Sequence, residues 1–545
     1  MKPRLVGWAL AAATAIAVIA NQRGVGIARD EVIYMQIGAR YADWWIGLAS
    51  FQHGIGEASI TRTFGGPGAT DNNREHPPVM KTLFGLSHRL IHGALGADEV
   101  TAFRLPSALV HGALVLLVYG MVLELWGLAP AVIAALLLAL LPRALFHAGL
   151  ACFDAATMAL WFATVRAYWR SLDGRRWPWQ VGVIWGLALA TKHTALLIPF
   201  ALGAHYLVLG AIAARRERRL GALLGHNWRV VVSLAVLGPV TLFAVWPWLW
   251  LDPVHHVRDW LAYHLGHVHY NYEYLGRNWN APRFPWHVAL VTTLFTVPAS
   301  TLAAAVAGAG VWIAERTRRA PPAPGAPALL LALSAAASIG PFVLGTTPIF
   351  GAEKHWMPVL PTICIAAGVG AAWAARAAAA ALPRPGAAAQ RIALAAVAGS
   401  VVLAAAVETV VAQPYALTWY SALAGGAPGG ADLGMNRQFW GVAMRGALPR
   451  LAAEARPAGP TYVYTHDASP AWGLYQREGL VPRTLLDAGW EQAGIARSEL
   501  AVVIHELHFN RHDYLIWSAY GTVQPIDVVT SDGVPIVSLY RRLRR

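Results

Sequence analysis

Two neighbouring carboxylates, Asp30 and Glu31, open the stretch GIARDEVIYMQIGARYADWW directly after an apolar run at residues 5–20. Four more groups of ionisable residues stand beside apolar runs: Glu75 and His76 in REHPPVMK, Asp154 in ACFDAATMALWF, Lys192 and His193 in LATKHTALL, and Glu353, Lys354 and His355 in GAEKHWMPVLP. A carboxylate can take the proton from an attacking hydroxyl or amine. An ammonium can stabilise negative charge that builds up on a departing anion. Ionisable residues within or beside a span are costly, and by default they imply a function or a partner. For Asp154 and Lys192 a structural alternative stays open, a mutual pair that locks two helices.

The elements that must position these groups follow from composition. Of 545 residues 56% are hydrophobic and 13% charged, more apolar than a water-soluble globular chain normally is. Apolar runs recur at residues 105–126, 129–148, 153–167, 181–210, 230–251, 287–314, 326–344, 356–374 and 392–411. A helix needs about 20 residues to cross a bilayer core. The 181–210 run, interrupted by Lys192 and His193, is too long for one span and divides into two. The expected architecture is a polytopic α-helical membrane protein with about eleven spans.

The formal net charge of +14 reports topology and not a nucleic-acid partner. Arg170, Arg175 and Arg176 fill one short connection, Arg215, Arg216, Arg218 and Arg219 the next alternate one, then Arg316, Arg318 and Arg319, then Arg384 and Arg391. Alternation of this kind puts those connections and the N-terminus, with Lys2 and Arg4, in the cytoplasm. The long loops 21–103 and 252–286 then face the periplasm or exterior, together with everything after residue 411. The first run also scans as a secretory signal, but a retained helix is the expectation for a polytopic chain. The two cysteines, Cys152 and Cys364, lie in apolar runs, so neither a disulfide framework nor a cysteine metal site is expected. On this topology all five ionisable groups fall on the outer side, and the Gly- and Arg-rich part of the first outer loop is expected to be mobile.

The chain divides near residue 413, giving a membrane unit at 1–412 and a small outer α/β domain at 413–545. In the latter, TYVYT, LAVVIH and VPIVSLY have strand length and alternate with helical stretches such as residues 470–478,. His466 and Asp467 follow the first of these strands, either as acceptor-recognising groups at a strand end or with Asp467 or Ser469 as a plain helix N-cap.

The order of an outer-loop DE, a later HPP in the same loop, an Asp opening a span and a TK at a helix turn resembles the GT-C glycosyltransferases,. Within that class the likeness is to the protein O-mannosyltransferases of family 39 and the aminoarabinose transferase of lipid A. PYALTWYSALAGGAPGGADLGMNRQFWG is similar to a stretch that follows the last span in many bacterial members. The resemblance implies transfer of a sugar from a polyprenyl-phosphate donor to an acceptor on the outer side, inverting the anomeric centre. It implies Asp30 as base, Glu31 positioning the acceptor or sharing the charge, and Asp154 beside them. Lys192 is the first choice for the donor phosphate, with Lys354 second and His76 contributing. HPP stands where aminoarabinose transferases have Lys before the proline pair, which points away from lipid A as acceptor.

That subfamily also implies a divalent metal held by Glu75 and a histidine of the later outer loop, where His255, His256, His264, His267 and His269 lie. His264, His267 and His269 join Glu75 as candidate ligands, with His264 and His267 spaced to share a helix face. Anchoring at headgroup level is the alternative for each, and the expected role of most of Trp44, Trp45, Trp246, Trp248, Trp250, Trp279 and Trp286. The rival class is a transporter or flippase for lipid-linked sugars. Such proteins place ionisable groups near the bilayer midplane, often with an internal repeat. Here the groups cluster at one surface and no repeat is evident, so the enzyme is the stronger reading.

Overall fold

The structure, a computed structural model, describes residues 2–65, 73–174, 177–225, 227–317, 325–382, 386–457, 459–506 and 510–543. Arg175, Arg176, Arg318, Arg319 and Arg384, and the tip of the first outer loop at 66–72, lie outside the described residues.

Among the described residues six helices are long and apolar enough to cross a membrane: Pro3–Gln22 (α1), Glu99–Trp126, His193–Glu217, Trp228–Val245, Met357–Ala380 and Ala387–Ala412. Two bent pairs raise the number to eight, if each pair is one span: Leu128–Ala139 with Pro142–Ala148 at 66°, and Val288–Thr296 with Ala299–Glu315 at 116°. Each bend has a proline at its break, Pro142 and Pro298, where the ring removes a helical N–H and crowds the preceding turn. The expected count of eleven is not reached on this measure. Trp179–Leu189 and Pro327–Val343 are too short, and Asp154–Ser171 carries Asp154, Arg166 and Arg170. The 181–210 run does break at Lys192, which is extended between the helix Trp179–Leu189 and a 3-10 turn at His193–Leu197.

The most apolar stretch of Met357–Ala380 is 83% buried and that of Ala387–Ala412 only 11%. The former is therefore an inner helix of the bundle, and the latter presents its flank outward. Alanine and glycine make up much of both helices, which lets neighbours approach closely.

The second helix, Arg29–Ala49 (α2), follows the first candidate span and carries Asp30 and Glu31 in its first turn. It crosses the short helix Val79–Ser87 at glycines: a Cβ on Gly38 would stand 2.3 Å from the Lys81 carbonyl, and one on Gly85 would stand 1.9 Å from that of Gly38. Any larger residue there would force the two helices apart.

What fixes the start of α2 is the Glu31 carboxylate, fully buried. Oε1 accepts from Arg104 Nε at 2.8 Å and from the Ala151 N–H at 2.7 Å; Oε2 accepts from Arg104 Nη2 at 2.7 Å and from the Ala28 N–H at 2.8 Å. The last of these is the third-residue half of a capping box,. Arg104 also donates to the Gly26 carbonyl at 2.7 Å. One ion pair thus ties α2 to the span Glu99–Trp126 and to the loop before Asp154.

Between the helices Trp228–Val245 and Val288–Thr296 lies a small hairpin, β1 (Tyr272–Tyr274) antiparallel to β2 (Arg277–Trp279). A five-stranded mixed sheet follows, formed by β3 (Thr461–Tyr464), β4 (Leu485–Asp487), β5 (Leu500–Ile504), β6 (Asp527–Ser531) and β7 (Val534–Arg541), in the order β4-β3-β5-β7-β6. β3 runs parallel to β4 and β5, whereas β7 is antiparallel to β5 and β6. The three apolar strand segments read from the sequence are β3, β5 and β7; the short β4 and the polar β6 carry no such signal. The stretch read as a helix at 470–478 is a 3-10 turn, His466–Ala471, followed by the helix Trp472–Arg477.

This region docks on the membrane-facing part through polar contacts. Arg477 pairs with Glu99 at 2.9 Å, and the Glu478 carboxyl meets that of Asp98, the N-cap of Glu99–Trp126. Burial and the Asp98 carboxyl push Glu478 up to about 7.

Two outcomes follow. Arg104→Met leaves a buried carboxylate without its counter-charge, so it is expected to lower stability by about 3–5 kcal/mol, read as the unfolding midpoint in detergent; Glu31→Gln in addition should recover part, because the amide oxygen still accepts an N–H. A carboxyl raised in the folded state favours its protonated form there, so stability is full below its ordinary value near 4.5 and is lost as pH rises through about 7,. The unfolding midpoint should therefore decline over that window, and Glu478→Gln should flatten the decline.

Candidate active site

Asp30 follows from the Glu31 lock. With Glu31 held inward, Asp30 projects from the first turn of α2 with its side chain 26% exposed. Its Oδ2 accepts from the Trp440 indole N–H at 2.9 Å, and Oδ1 lies 3.6 Å from Arg29 Nε. Arg29 is turned chiefly to Asp467, at 2.5 Å, and its backbone N–H donates to the Trp440 carbonyl at 3.1 Å. Among the described residues no hydrogen bond to Asp30 Oδ1 is formed beyond the longer Arg29 contact, and the side chain is in partial contact with solvent.

Lys354 sits on a 3-10 turn, Ala352–His355. The turn is pinned by Glu353, which pairs with Arg143 at 2.7 Å and stands 3.5 Å from His147 Nε2. Arg143 also donates to the carbonyls of Leu417 and Trp419, each at 3.0 Å. Held by its neighbour in this way, the buried Lys354 ammonium faces aromatic rings: Trp440 at 4.2 Å, Phe350 at 5.0 Å and Phe439 at 5.9 Å. No carboxylate of the described residues forms an ion pair with it. Burial holds Lys354 below the usual ammonium range, while Asp30 and Asp154 oppose that shift through space.

Asp154 and Lys192 pair at 2.6 Å, and both are buried. This is the structural alternative left open in the sequence. Lys192, expected as first choice for a phosphate, is already paired with Asp154, whereas Lys354, expected second, has aromatic walls and no ion-pair partner among the described residues. Glu31, expected to position an acceptor, has both oxygens filled by the Arg104 lock. It acts on the site by holding α2.

His76 lies among rings, edge-on to Tyr34 at 5.8 Å and near Phe153 at 5.5 Å. Burial and the nearby lysines push it well down, so it meets a phosphate without charge and at most as a hydrogen-bond donor. Glu75 lends its backbone carbonyl to Trp260 Nε1 and His264 Nε2, both at 3.1 Å, while its carboxylate accepts from Asn73 at 3.0 Å. His264 stacks on His193 at 3.7 Å, His267 lies flat on Phe350 at 5.1 Å, and His269 packs near Phe284 at 5.8 Å.

The donor set expected for a divalent metal is therefore not brought together. Among the described residues no group of three or more His, Cys, Asp or Glu is arranged to hold an ion. The physical reason is that His264 gives a ring nitrogen to a carbonyl, and His267 and His269 turn their faces to other rings. The residues do not fit the group, and no step is routed through a metal.

Other expectations are redrawn too. Asp467 is an ion-pair partner of Arg29 and Ser469 donates to Asp487, so neither caps the turn that follows β3. Trp44, Trp246 and Trp248 are buried, and Trp248 stacks on His256 at 4.0 Å, so these rings pack the protein and do not line a membrane belt; Trp286 is exposed.

The sequence reading missed Trp440, Arg104, Arg143 and His147. For Arg143 and His147 a signal was present, since both interrupt the apolar run 129–148 and a charge there demands a partner. Trp440 lay inside a quoted motif with nothing to distinguish it from the other tryptophans.

Residues 75–246 match the family model described as dolichyl-phosphate-mannose-protein mannosyltransferase, a segment that starts at Glu75 and contains His76, Asp154 and Lys192. No curated protein sequence is matched. Among solved structures the chain is similar to ArnT from Cupriavidus metallidurans bound to undecaprenyl phosphate, at 16% identity over 97% of each chain with a TM-score of 0.47. It is also similar to the oligosaccharyltransferase AglB from Archaeoglobus fulgidus in complex with an inhibitory peptide and a dolichol-phosphate, at 12% identity over 95% of this chain and 71% of that one, TM-score 0.48. A third is the arabinosyltransferase EmbB from Mycobacterium smegmatis, at 16% identity over 77% of this chain and 43% of that one, TM-score 0.43. The family match covers under a third of the chain, and it is the segment that supplies His76, Asp154 and Lys192.

Proposed function

We propose that the protein moves a sugar from a polyprenyl-phosphate donor, held in the membrane, to an acceptor on the outer face. The observation that carries this reading is the opposition of two groups: a partly exposed carboxylate, Asp30, whose Oδ1 has only a 3.6 Å contact from Arg29, and a buried ammonium, Lys354, with no ion-pair partner among the described residues. A cation kept in low dielectric without a counter-ion attracts an anion strongly, and a phosphate is the anion that a lipid-borne sugar would bring.

In this reading the acceptor hydroxyl or amine attacks the anomeric carbon as Asp30 removes its proton. The carbon–oxygen bond to phosphate breaks, and the polyprenyl phosphate departs carrying one more negative charge, which Lys354 offsets. A single displacement inverts the anomeric configuration and needs no covalent sugar intermediate. The Asp154–Lys192 pair contributes to the field at the same place, since both groups act on Lys354.

We further read Asp154–Ser171, Trp179–Leu189 and Pro327–Val343 as spans, which brings the number to eleven, with residues 413–545 as an outer domain. The alternating arginines support an orientation with the site on the periplasmic or exterior side.

The test is transfer from radiolabelled polyprenyl-phosphate sugars to endogenous acceptors in membranes at matched protein levels. Asp30→Asn is expected to lose about 100-fold or more in rate, and Lys354→Met to raise the donor KM. Transfer by Asp30→Asn at the rate of the unaltered protein would end the assignment of the base.

A further inference from the structure

Trp440 stands where the two groups of the proposed centre meet, and three independent contacts converge on it. Its indole N–H donates to Asp30 Oδ2 at 2.9 Å, its ring face lies 4.2 Å from Lys354 Nζ, and its backbone carbonyl accepts from the Arg29 N–H at 3.1 Å. His147 meets the indole edge-on at 5.7 Å. The contacts come from α2, from the turn Ala352–His355 and from the half-helix Pro142–Ala148, which are far apart in sequence. Trp440 itself belongs to the segment that follows the last long span.

The backbone here is unusual. Trp440 has φ +72°, followed by Gly441 at φ +71°. A bulky residue in the left-handed region persists only where its surroundings over-determine it, and such residues cluster at functional sites. Packing alone does not demand it: Phe439 fills space beside it from the same strand of chain, with ring centroids 4.8 Å apart, and a tryptophan set in ordinary backbone would bury as much.

We propose that Trp440 is a positioning residue that sets the spacing of base and phosphate cation. By bonding Oδ2, it orients the Asp30 carboxylate and leaves Oδ1 to receive the acceptor proton. By offering its π face to Lys354, it holds the ammonium opposite that carboxylate without neutralising it, because a ring attracts a cation and leaves its charge intact. A carboxylate in the same place would have cancelled the charge that the departing phosphate needs. The segment after the last span is thereby part of the catalytic centre.

This inference rests on the proposed roles of Asp30 and Lys354, and the experiment separates the two. Steady-state kinetics with a polyprenyl-phosphate sugar are compared for the unaltered protein, Asp30→Asn, Trp440→Phe and Trp440→Leu in detergent micelles. Trp440→Phe keeps a ring over Lys354 and deletes the N–H, so kcat should fall about 10- to 100-fold with the donor KM unchanged within about twofold. Trp440→Leu removes the ring as well and should raise the donor KM in addition.

A benzothienylalanine installed at position 440 replaces the indole N–H by sulfur at nearly the same volume. It should reproduce the kcat loss of Trp440→Phe, and it serves as the deciding variant if Phe does not fold. Unchanged kcat with that analogue, alongside an inactive Asp30→Asn, would overturn the role of Trp440 and leave the base in place. An Asp30→Asn protein of normal activity would instead overturn the reading beneath it.

Discussion

The buried pair of Glu31 and Arg104 is the constraint on which the rest of the site depends. Two charges in the interior are costly unless each is paired and hydrogen-bonded. Here the carboxylate receives four donors and the guanidinium reaches both it and the Gly26 carbonyl. Because those donors come from three separate segments, the pair fixes a relation between them: the start of α2, the span Glu99–Trp126 and the loop that leads into Asp154. A helix rotates about 100° per residue, so directing Glu31 inward directs Asp30 elsewhere. The exposure of Asp30 is a geometric consequence of the burial of its neighbour.

A parallel logic governs Lys354. Its neighbour Glu353 is locked by Arg143, which in turn holds the carbonyls of Leu417 and Trp419. In both places the chain sets two ionisable residues side by side, ties one to a buried arginine and leaves the other more lightly paired. The arginine-paired member bears the energetic load of holding backbone in position. The division matters in a low-dielectric setting, where an ammonium surrounded by Phe350, Phe439 and Trp440 keeps a field that water would screen,.

Much of this was legible in the sequence at the level of class and less at the level of pairing. Apolar runs give membrane helices by length, and the break at Lys192 is readable because no single helix of that length suits a bilayer. The ionisable landmarks are readable because charge beside a span needs a reason. Which residue answers which is a three-dimensional fact. Glu31 and Arg104 are 73 positions apart, and Asp30 and Trp440 are 410 apart. No periodicity connects them. The histidines of the later outer loop illustrate the same limit: their spacing permits a shared face, but ring stacking and a backbone carbonyl take them instead. The short strands β4 and β6 escape for another reason, having too few apolar residues to alternate.

The sheet that follows the spans adds a final element of the argument. Asp467, just after β3, pairs with Arg29, the residue before Asp30, and the Ile27 N–H donates to the Tyr475 hydroxyl at 2.8 Å. At Gly26 the approach is tighter still, since a Cβ there would stand 2.0 Å from the Val442 carbonyl; only glycine lets the two segments meet. The first turn of α2 is thus clamped between the membrane helices, through Arg104, and the chain beyond the last span, through Trp440, Asp467 and Tyr475. In the proposed role of Asp30 such clamping matters, because geometry fixed before binding need not be organised during reaction. The region after the last long helix therefore bears on Asp30 through the backbone that carries it.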